Sequence, residues 1–203
     1  MKYERVLAKE AKSFDKQIIN RIKLGFVPDL DTKKVVRGFY NNIWRDSELV
    51  KIHWGKIISK ITEICLKNKK KVLEIGCGSG FLSLHLARKK LDVLGIDVSS
   101  RTIHYANKFK LKNKKKIRLE YLCQDALKIK KLKKKFDTII FFRYLHHFKN
   151  YKKLLIICYS LLNKSGKLVI YEPFRKNFDF NSATYVFVVR NLLKNWSGKK
   201  KYL

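Results

Sequence analysis

Two rhythms of apolar residues divide this chain. From Val72 onward, short runs rich in β-branched residues (KVLEIG, DVLGID, IRLEYLCQ, FDTIIFF and GKLVIYE) alternate with segments of helical spacing (FLSLHLARK, SRTIHYANKFK, the short ALKIKKL and YKKLLIICYSLL). That alternation predicts a mostly parallel sheet with crossover helices, an α/β doubly wound, Rossmann-like fold. In FLSLHLARK, Leu82, Leu86 and Ala87 form one stripe, and Ser99 or Ser100 can cap the helix that follows. Residues 1–70 read as helical, broken at GFVPDLD by Gly25 and Pro28. Ile57, Ile58, Ile61, Ile64 and Cys65 give that part an amphipathic stripe just ahead of the first strand. The expected organisation is an N-terminal helical cap over 1–70, a nucleotide-binding core over 71–173 and a C-terminal helical extension over 174–203.

Length and composition narrow the class. A chain of 203 residues suits one domain with a sizeable core. No apolar run approaches the roughly 20 residues of a membrane-spanning helix. The charged start, MKYERVLAKEAKSFDKQ, has no apolar signal core, so the cytoplasm is the expected location. Four cysteines, Cys65, Cys77, Cys123 and Cys158, form no C-x-x-C pair, and the five histidines make no metal-ligand spacing with them, which predicts a reduced, metal-free protein.

The formal charge of +32 raises the question of a nucleic-acid or membrane partner. Of the 48 basic residues, 38 are lysine, and their clusters KNKKK, RKK, KNKKK, KIKKLKKK and NKSGK each precede a predicted strand. Helix-to-strand connections lie at the amino ends of parallel strands, whereas ligands bind beyond the carboxyl ends. Lysines there also complement helix carboxyl termini. The charge thus gathers away from the expected chemistry, which argues against delivery of a nucleic-acid substrate into the site, with RNA kept as the alternative partner.

The stretch VLEIGCGSGFLSLHLARKKLDVLGID carries the chemistry. A strand, a glycine turn and a helix amino end bring backbone N–H groups close to a ligand. The dinucleotide fingerprint wants a small residue after G-x-G-x-x, and here Gly76, Gly78 and Gly80 give G-x-G-x-G followed by Phe81. Glu74, two residues before the first glycine, would repel a pyrophosphate and suit a cationic group. Asp97 ends the second strand 21 residues after Gly76, where a carboxylate accepts bonds from ribose hydroxyls. A nucleoside with a positive appendage fits better than a dinucleotide.

Taken in order, VLEIGCGSG, LGIDVSS, YLCQDAL, FDTIIFFRYLHHF and LLNKSGKLVIYEP resemble the motifs of the class I S-adenosylmethionine-dependent methyltransferases, small-molecule type, over about residues 71–173. The resemblance implies S-adenosylmethionine as cofactor, with Gly76, Gly78 and Gly80 bordering its methionine part and Asp97 binding ribose. It implies that Asp125 with Ala126 contacts adenine and that the backbone near Phe142 and Arg143 closes the pocket. Glu74, Cys77 and Val98 join this cofactor set. For Asp125 the other reading is a helix cap, since ALKIKKL follows directly. For Cys77 it is simple packing in a loop that needs small side chains. GFYNNIWRD resembles the aromatic segment that small-molecule members place over the cofactor, which makes Tyr40 and Trp44 candidates there or core contacts.

Methyl transfer from a sulfonium needs alignment more than a protein nucleophile. His146 and His147, just after the fourth strand, are candidate bases or structural elements of an LHH turn. Arg143 and Arg175, beyond strands four and five, with Tyr40, are candidate acceptor contacts for an acidic small molecule. The family pattern then calls for a helix and an antiparallel hairpin, but only 31 residues follow Glu172. NSATYVFVVRNLLKNW, with Tyr185, Val189, Leu192, Leu193 and Trp196 on one helical face, predicts a final helix and an absent or incomplete hairpin. Such a sheet leaves an edge to be covered by a helix or by a second copy in a dimer. The same shortness keeps open a noncatalytic or truncated relative that binds the nucleoside.

Overall fold

A computed structural model describes residues 2–30, 43–68, 70–113, 116–148, 151–173 and 184–188. Six strands, β1 (Lys71–Ile75), β2 (Asp92–Asp97), β3 (Arg118–Cys123), β4 (Phe136–Phe142), β5 (Leu162–Pro173) and β6 (Thr184–Val188), form one sheet in the order β3-β2-β1-β4-β5-β6. The first five run parallel, and β6 is antiparallel to β5. The order reverses between β1 and β4, and in open α/β sheets ligands bind outside the carboxyl ends of the strands at such a switch point.

Helices cover both faces because the strands alternate their side chains across the sheet. On one face α2 (Ser47–Lys67), α3 (Phe81–Arg88) and α4 (Ser100–Leu111) bring Ile61, Leu82, Leu86 and Ile103 against Val72, Val93 and Ile140. On the other, a 3-10 turn at Ala126–Leu132 and α5 (Tyr151–Leu161) bring Ile129, Leu154 and Cys158 against Leu73, Leu94, Ile139 and Phe141. All seven residues of β4 are buried, which accounts for five of them being Phe or Ile. Its one acid, Asp137, accepts from Lys71 N at 3.0 Å and from Asn163 Nδ2 at 2.7 Å at the amino edge. Lys89 and Lys90 before β2 and Lys133, Lys134 and Lys135 before β4 lie at that same edge, while the NKSGK cluster falls inside the start of β5 rather than in a connection.

The N-terminal region is helical on both sides of the predicted break. Helix α1 (Lys2–Lys23) ends just before Gly25, which takes a left-handed φ of 84°. Ile18 and Phe26 pack with Ile22, Trp44 and Tyr105, so α1 lies along α4. Arg88 of α3 meets Asp29 at 2.6 Å and fastens the segment after α1 to the core.

The C-terminal segment departs from the sequence expectation. Thr184–Val188 is a strand, not part of a helix, so the sheet gains one antiparallel member. TYVFV is β-branched and aromatic throughout, and the outer edge of β5 offers it a ladder of backbone groups that a helix would leave unpaired. Val189, Leu192, Leu193 and Trp196 lie outside the described residues. Among the described residues, no helix is long and apolar enough to cross a membrane.

Glu74 also differs from expectation. It is 1% exposed, between β1 and α3, where Ser83 Oγ donates to its carboxyl. Burial raises that carboxyl to about 8, only partly opposed by the Ser83 bonds. A side chain so enclosed braces the glycine loop from below.

Two outcomes follow for stability. Ile61, fully buried under the sheet, loses about 2–5 kcal/mol on replacement by alanine, readable by urea denaturation. Between the unfolded value of 4.5 and about 8, folded Glu74 keeps a proton that the unfolded chain releases. Stability therefore falls as pH rises through that window, by up to ~1.4 kcal/mol per pH unit, and levels off above it. Thermal melts from pH 5 to pH 8 should slope steeply downward in the wild type and much less in Glu74→Gln, with a residue from Asp97, whose carboxyl is raised by burial.

Candidate active site at the carboxyl edge of the sheet

The glycine loop is anchored to the end of β2. Gly76 N and Cys77 N both donate to Ile96 O, at 2.8 and 3.0 Å, and Gly78 N donates to Asp97 Oδ2 at 3.0 Å. The other Asp97 oxygen accepts from Ser99 N at 2.9 Å. Each carboxylate oxygen thus has capacity left for a further donor. Burial raises the Asp97 pKa, while the Ser99, Gly78 and Val98 amides hold it down.

Two glycines are required by close approach. At Gly76 (φ 75°) a Cβ would lie 2.1 Å from the ring of Tyr144, and at Gly80 (φ 84°) 2.2 Å from the hydroxyl of Tyr121, which donates to Gly80 O. At Gly78 (φ 54°) the corresponding space is open. Cys77 is 2% exposed, and burial pushes its thiol well above the usual range, so packing accounts for it. Phe81, which breaks the dinucleotide fingerprint, opens α3 and stacks on Trp54 at 5.6 Å, edge-on to Trp44 and Phe142. Trp44 is therefore a core contact of this aromatic cluster. Tyr40 and Arg175 lie outside the described residues.

Of the two sequence readings of Asp125, the cap is observed, on one oxygen. Oδ1 caps the turn that follows, accepting from Leu127 N at 2.9 Å, and also accepts from Tyr3 Oη at 2.9 Å. Oδ2 is buried without a hydrogen-bond partner. An orphaned buried carboxylate oxygen is costly unless a donor reaches it. Ala126, beside it, is buried, and Val98 is half-buried at the exit of β2.

Beyond β4, Phe142 is buried and Arg143 takes a left-handed φ of 56° with its N–H on Tyr171 O at 2.7 Å. This directs the exposed guanidinium over Trp54, 5.6 Å from the ring. His146 and His147 form a 3-10 turn with Leu145, their rings 4.1 Å apart. Glu172, near the end of β5, accepts from Tyr144 N at 2.7 Å and from Leu145 N, and meets His146 Nδ1 at 2.6 Å.

Helix α1 crosses this edge. Asp15 accepts from Ser99 Oγ at 2.6 Å and Arg101 N at 3.1 Å, and Glu10 lies 3.4 Å from His147 Nδ1. Phe14 packs edge-on against the His147 ring. Burial, and after it Asp97, raises the Glu10 pKa; burial, and after it His146, lowers that of His147. Glu10, Asp15, Asp97, Asp125 and Glu172 give a chain of net charge +32 an acidic edge suited to a cationic ligand. Tyr3, Glu10 and Tyr144 carried no sequence signal, since their partners lie far along the chain. Glu172 did, as a carboxylate ending the strand beside the one that leads to the histidines.

Comparison with known proteins bears on the family and the fold. Residues 66–202 match the family model described as a methyltransferase domain. Among curated proteins, the ubiquinone biosynthesis O-methyltransferase of Coxiella burnetii is 32% identical over 130 residues, 62% of this chain and 54% of that protein. Its counterpart in Pelagibacter ubique is 37% identical over 105 residues, 52% of this chain and 42% of that one. The chain spans about half the length of the curated relatives it matches. Among solved structures, the magnesium protoporphyrin IX methyltransferase of Synechocystis with bound S-adenosylmethionine superposes with a TM-score of 0.62 at 17% identity, over 92% of this chain and 81% of that one. With the glycine loop tied to a strand-end carboxylate and two thirds of its length inside the family model, this chain belongs to the methyltransferase domain family.

Proposed function

We propose that the chain binds S-adenosylmethionine in the crevice beyond β1 and β4 and methylates a small-molecule acceptor. The observation that carries this is the pair of buried carboxylates, Asp97 with remaining acceptor capacity beside the glycine loop and Asp125 with Oδ2 unpartnered. Those acceptors fit a nucleoside, which presents ribose hydroxyls and an exocyclic amine. When bound, S-adenosylmethionine supplies an activated sulfonium methyl carbon. The surrounding residues hold and orient: Gly76, Gly78 and Gly80 let the backbone approach, Asp97 receives the ribose, and Asp125 with Ala126 receives the base. Val98 and the backbone at Phe142 and Arg143 would line the remainder.

The acidic edge favours a cationic donor, and the O-methyltransferase relatives support a small-molecule acceptor. Arg143, exposed over Trp54, is placed to receive an anionic group on that acceptor. Tyr40 and Arg175 stand with it as acceptor-side candidates. Glu74 and Cys77 support the loop from within the core.

Titration calorimetry with S-adenosylhomocysteine tests the reading. The wild type is expected to bind, and Asp97→Ala to bind about 100-fold more weakly, the ~2.7 kcal/mol of lost charged hydrogen bonds. Because Asp97 also anchors the loop, Asp125→Asn provides the second variant, with circular dichroism confirming that each folds. A folded wild type that binds neither the cofactor nor its demethylated product overturns the proposal.

A further inference from the structure

Resting on the methyl-transfer reading, we propose that Glu172 positions His146 as the base for an acceptor hydroxyl, so that the reaction is an O-methylation at this site. One Glu172 oxygen is taken by the Tyr144 and Leu145 amides, and the other meets His146 Nδ1 at 2.6 Å. A carboxylate only accepts, so Nδ1 carries the proton in this contact, and a base role requires the tautomer whose lone pair is on Nε2. The His146 side chain is 45% exposed and that of Glu172 only 18%, which leaves the ring reachable while its anchor is fixed.

His147 is placed differently. Its Nδ1 faces Glu10 of α1, Phe14 packs against its ring, and burial lowers its pKa. Among the described residues, the charged and titratable groups that face His146 are Glu172 from β5, Glu10 from α1, and His147 from its own turn, which in turn meets the Tyr144 ring. Of the two histidines, His146 is the one held by a strand-end carboxylate and open to an acceptor.

A hydroxyl is a weak nucleophile until its proton leaves, whereas a neutral amine attacks with its own lone pair. A positioned base therefore matters most for oxygen. The hydroxyl proton passes to His146 Nε2 and the oxygen pair forms the new bond to the methyl carbon, while the carbon–sulfur pair returns to sulfur and leaves a neutral thioether. Charge balances, with the positive charge of the sulfonium ending on the imidazolium beside Glu172.

The isosteric variant Glu172→Gln discriminates a positioning role from a structural one. Its carbonyl oxygen can still serve the two backbone amides, but its NH2 then faces Nδ1, which must accept and so forces the proton to Nε2. NMR of the full chain labelled with nitrogen in histidine should show the Nδ1–H tautomer at His146 in the wild type and Nε2–H in Glu172→Gln, with His146→Gln assigning the signal. With S-adenosylmethionine and a matched pair of probes, catechol and ortho-phenylenediamine, the wild type should methylate catechol. Both Glu172→Gln and His146→Gln should lower kcat about 100-fold with KM nearly unchanged.

An unchanged tautomer in Glu172→Gln, a His146→Gln variant with wild-type kcat, or methylation of the diamine but not of catechol would overturn the inference. Calorimetry with S-adenosylhomocysteine separates the two levels. A wild type without affinity sinks the methyl-transfer reading, and a wild type that binds while the tautomer fails to move sinks the role of Glu172 alone.

Discussion

Asp97 fastens the glycine loop to the exit of β2, and the rest of the crevice depends on that bond. Its two oxygens take the Gly78 and Ser99 amides, one from the loop after β1 and one from the turn into α4. Its own carbonyl accepts from Gln124 N at 2.8 Å, which adds the exit of β3. Three chain segments thus converge on one residue that is 7% exposed. Enclosure raises the cost of its charge, and the converging amides offset it. A carboxylate in that position braces the loop and keeps acceptor capacity, so under the proposed function support and recognition could not be varied separately.

Charge is distributed along the strand axis rather than evenly. Lysines crowd the amino edge, where helices end and their carbonyls attract cations, while acids gather at the carboxyl edge and on the face of α1 that crosses it. The net charge of +32 therefore misstates the field that a ligand meets in the crevice. Within a Debye length of about 8 Å at physiological salt, local carboxylates outweigh lysines on the opposite edge. A cationic donor and a basic protein are compatible for that reason.

What could be read from the chain was what local pattern encodes. The five parallel strands, the α3 stripe of Leu82, Leu86 and Ala87, the Ser99 cap and the Asp125 cap all follow from spacing or neighbouring residues. Misreadings arose where distant partners decide. TYVFV sits in a segment with helical spacing, yet the open edge of β5 draws it into the sheet. That Ser83 and α3 enclose Glu74 is likewise invisible in its immediate neighbours, Leu73 and Ile75. Nothing local announces that Tyr3 reaches Asp125 across 122 residues or that Glu10 faces His147.

Glu172 shows why strand-end carboxylates recur at this edge. At the exit of a buried parallel strand the backbone turns, and the first amides of the adjacent loop point outward without a ladder partner. A carboxylate on the neighbouring strand can satisfy several of them at once, as Asp97 does for Gly78 and Ser99 and Glu172 for Tyr144 and Leu145. Once fixed by backbone donors, the remaining acceptor capacity is held in one orientation without further ordering cost. At Asp97 that capacity lies beside the glycine loop; at Glu172 it falls on a histidine. The same structural need, capping the loops of a parallel sheet, thus leaves oriented negative charge along the carboxyl edge, which is the charge that the proposed cationic donor requires.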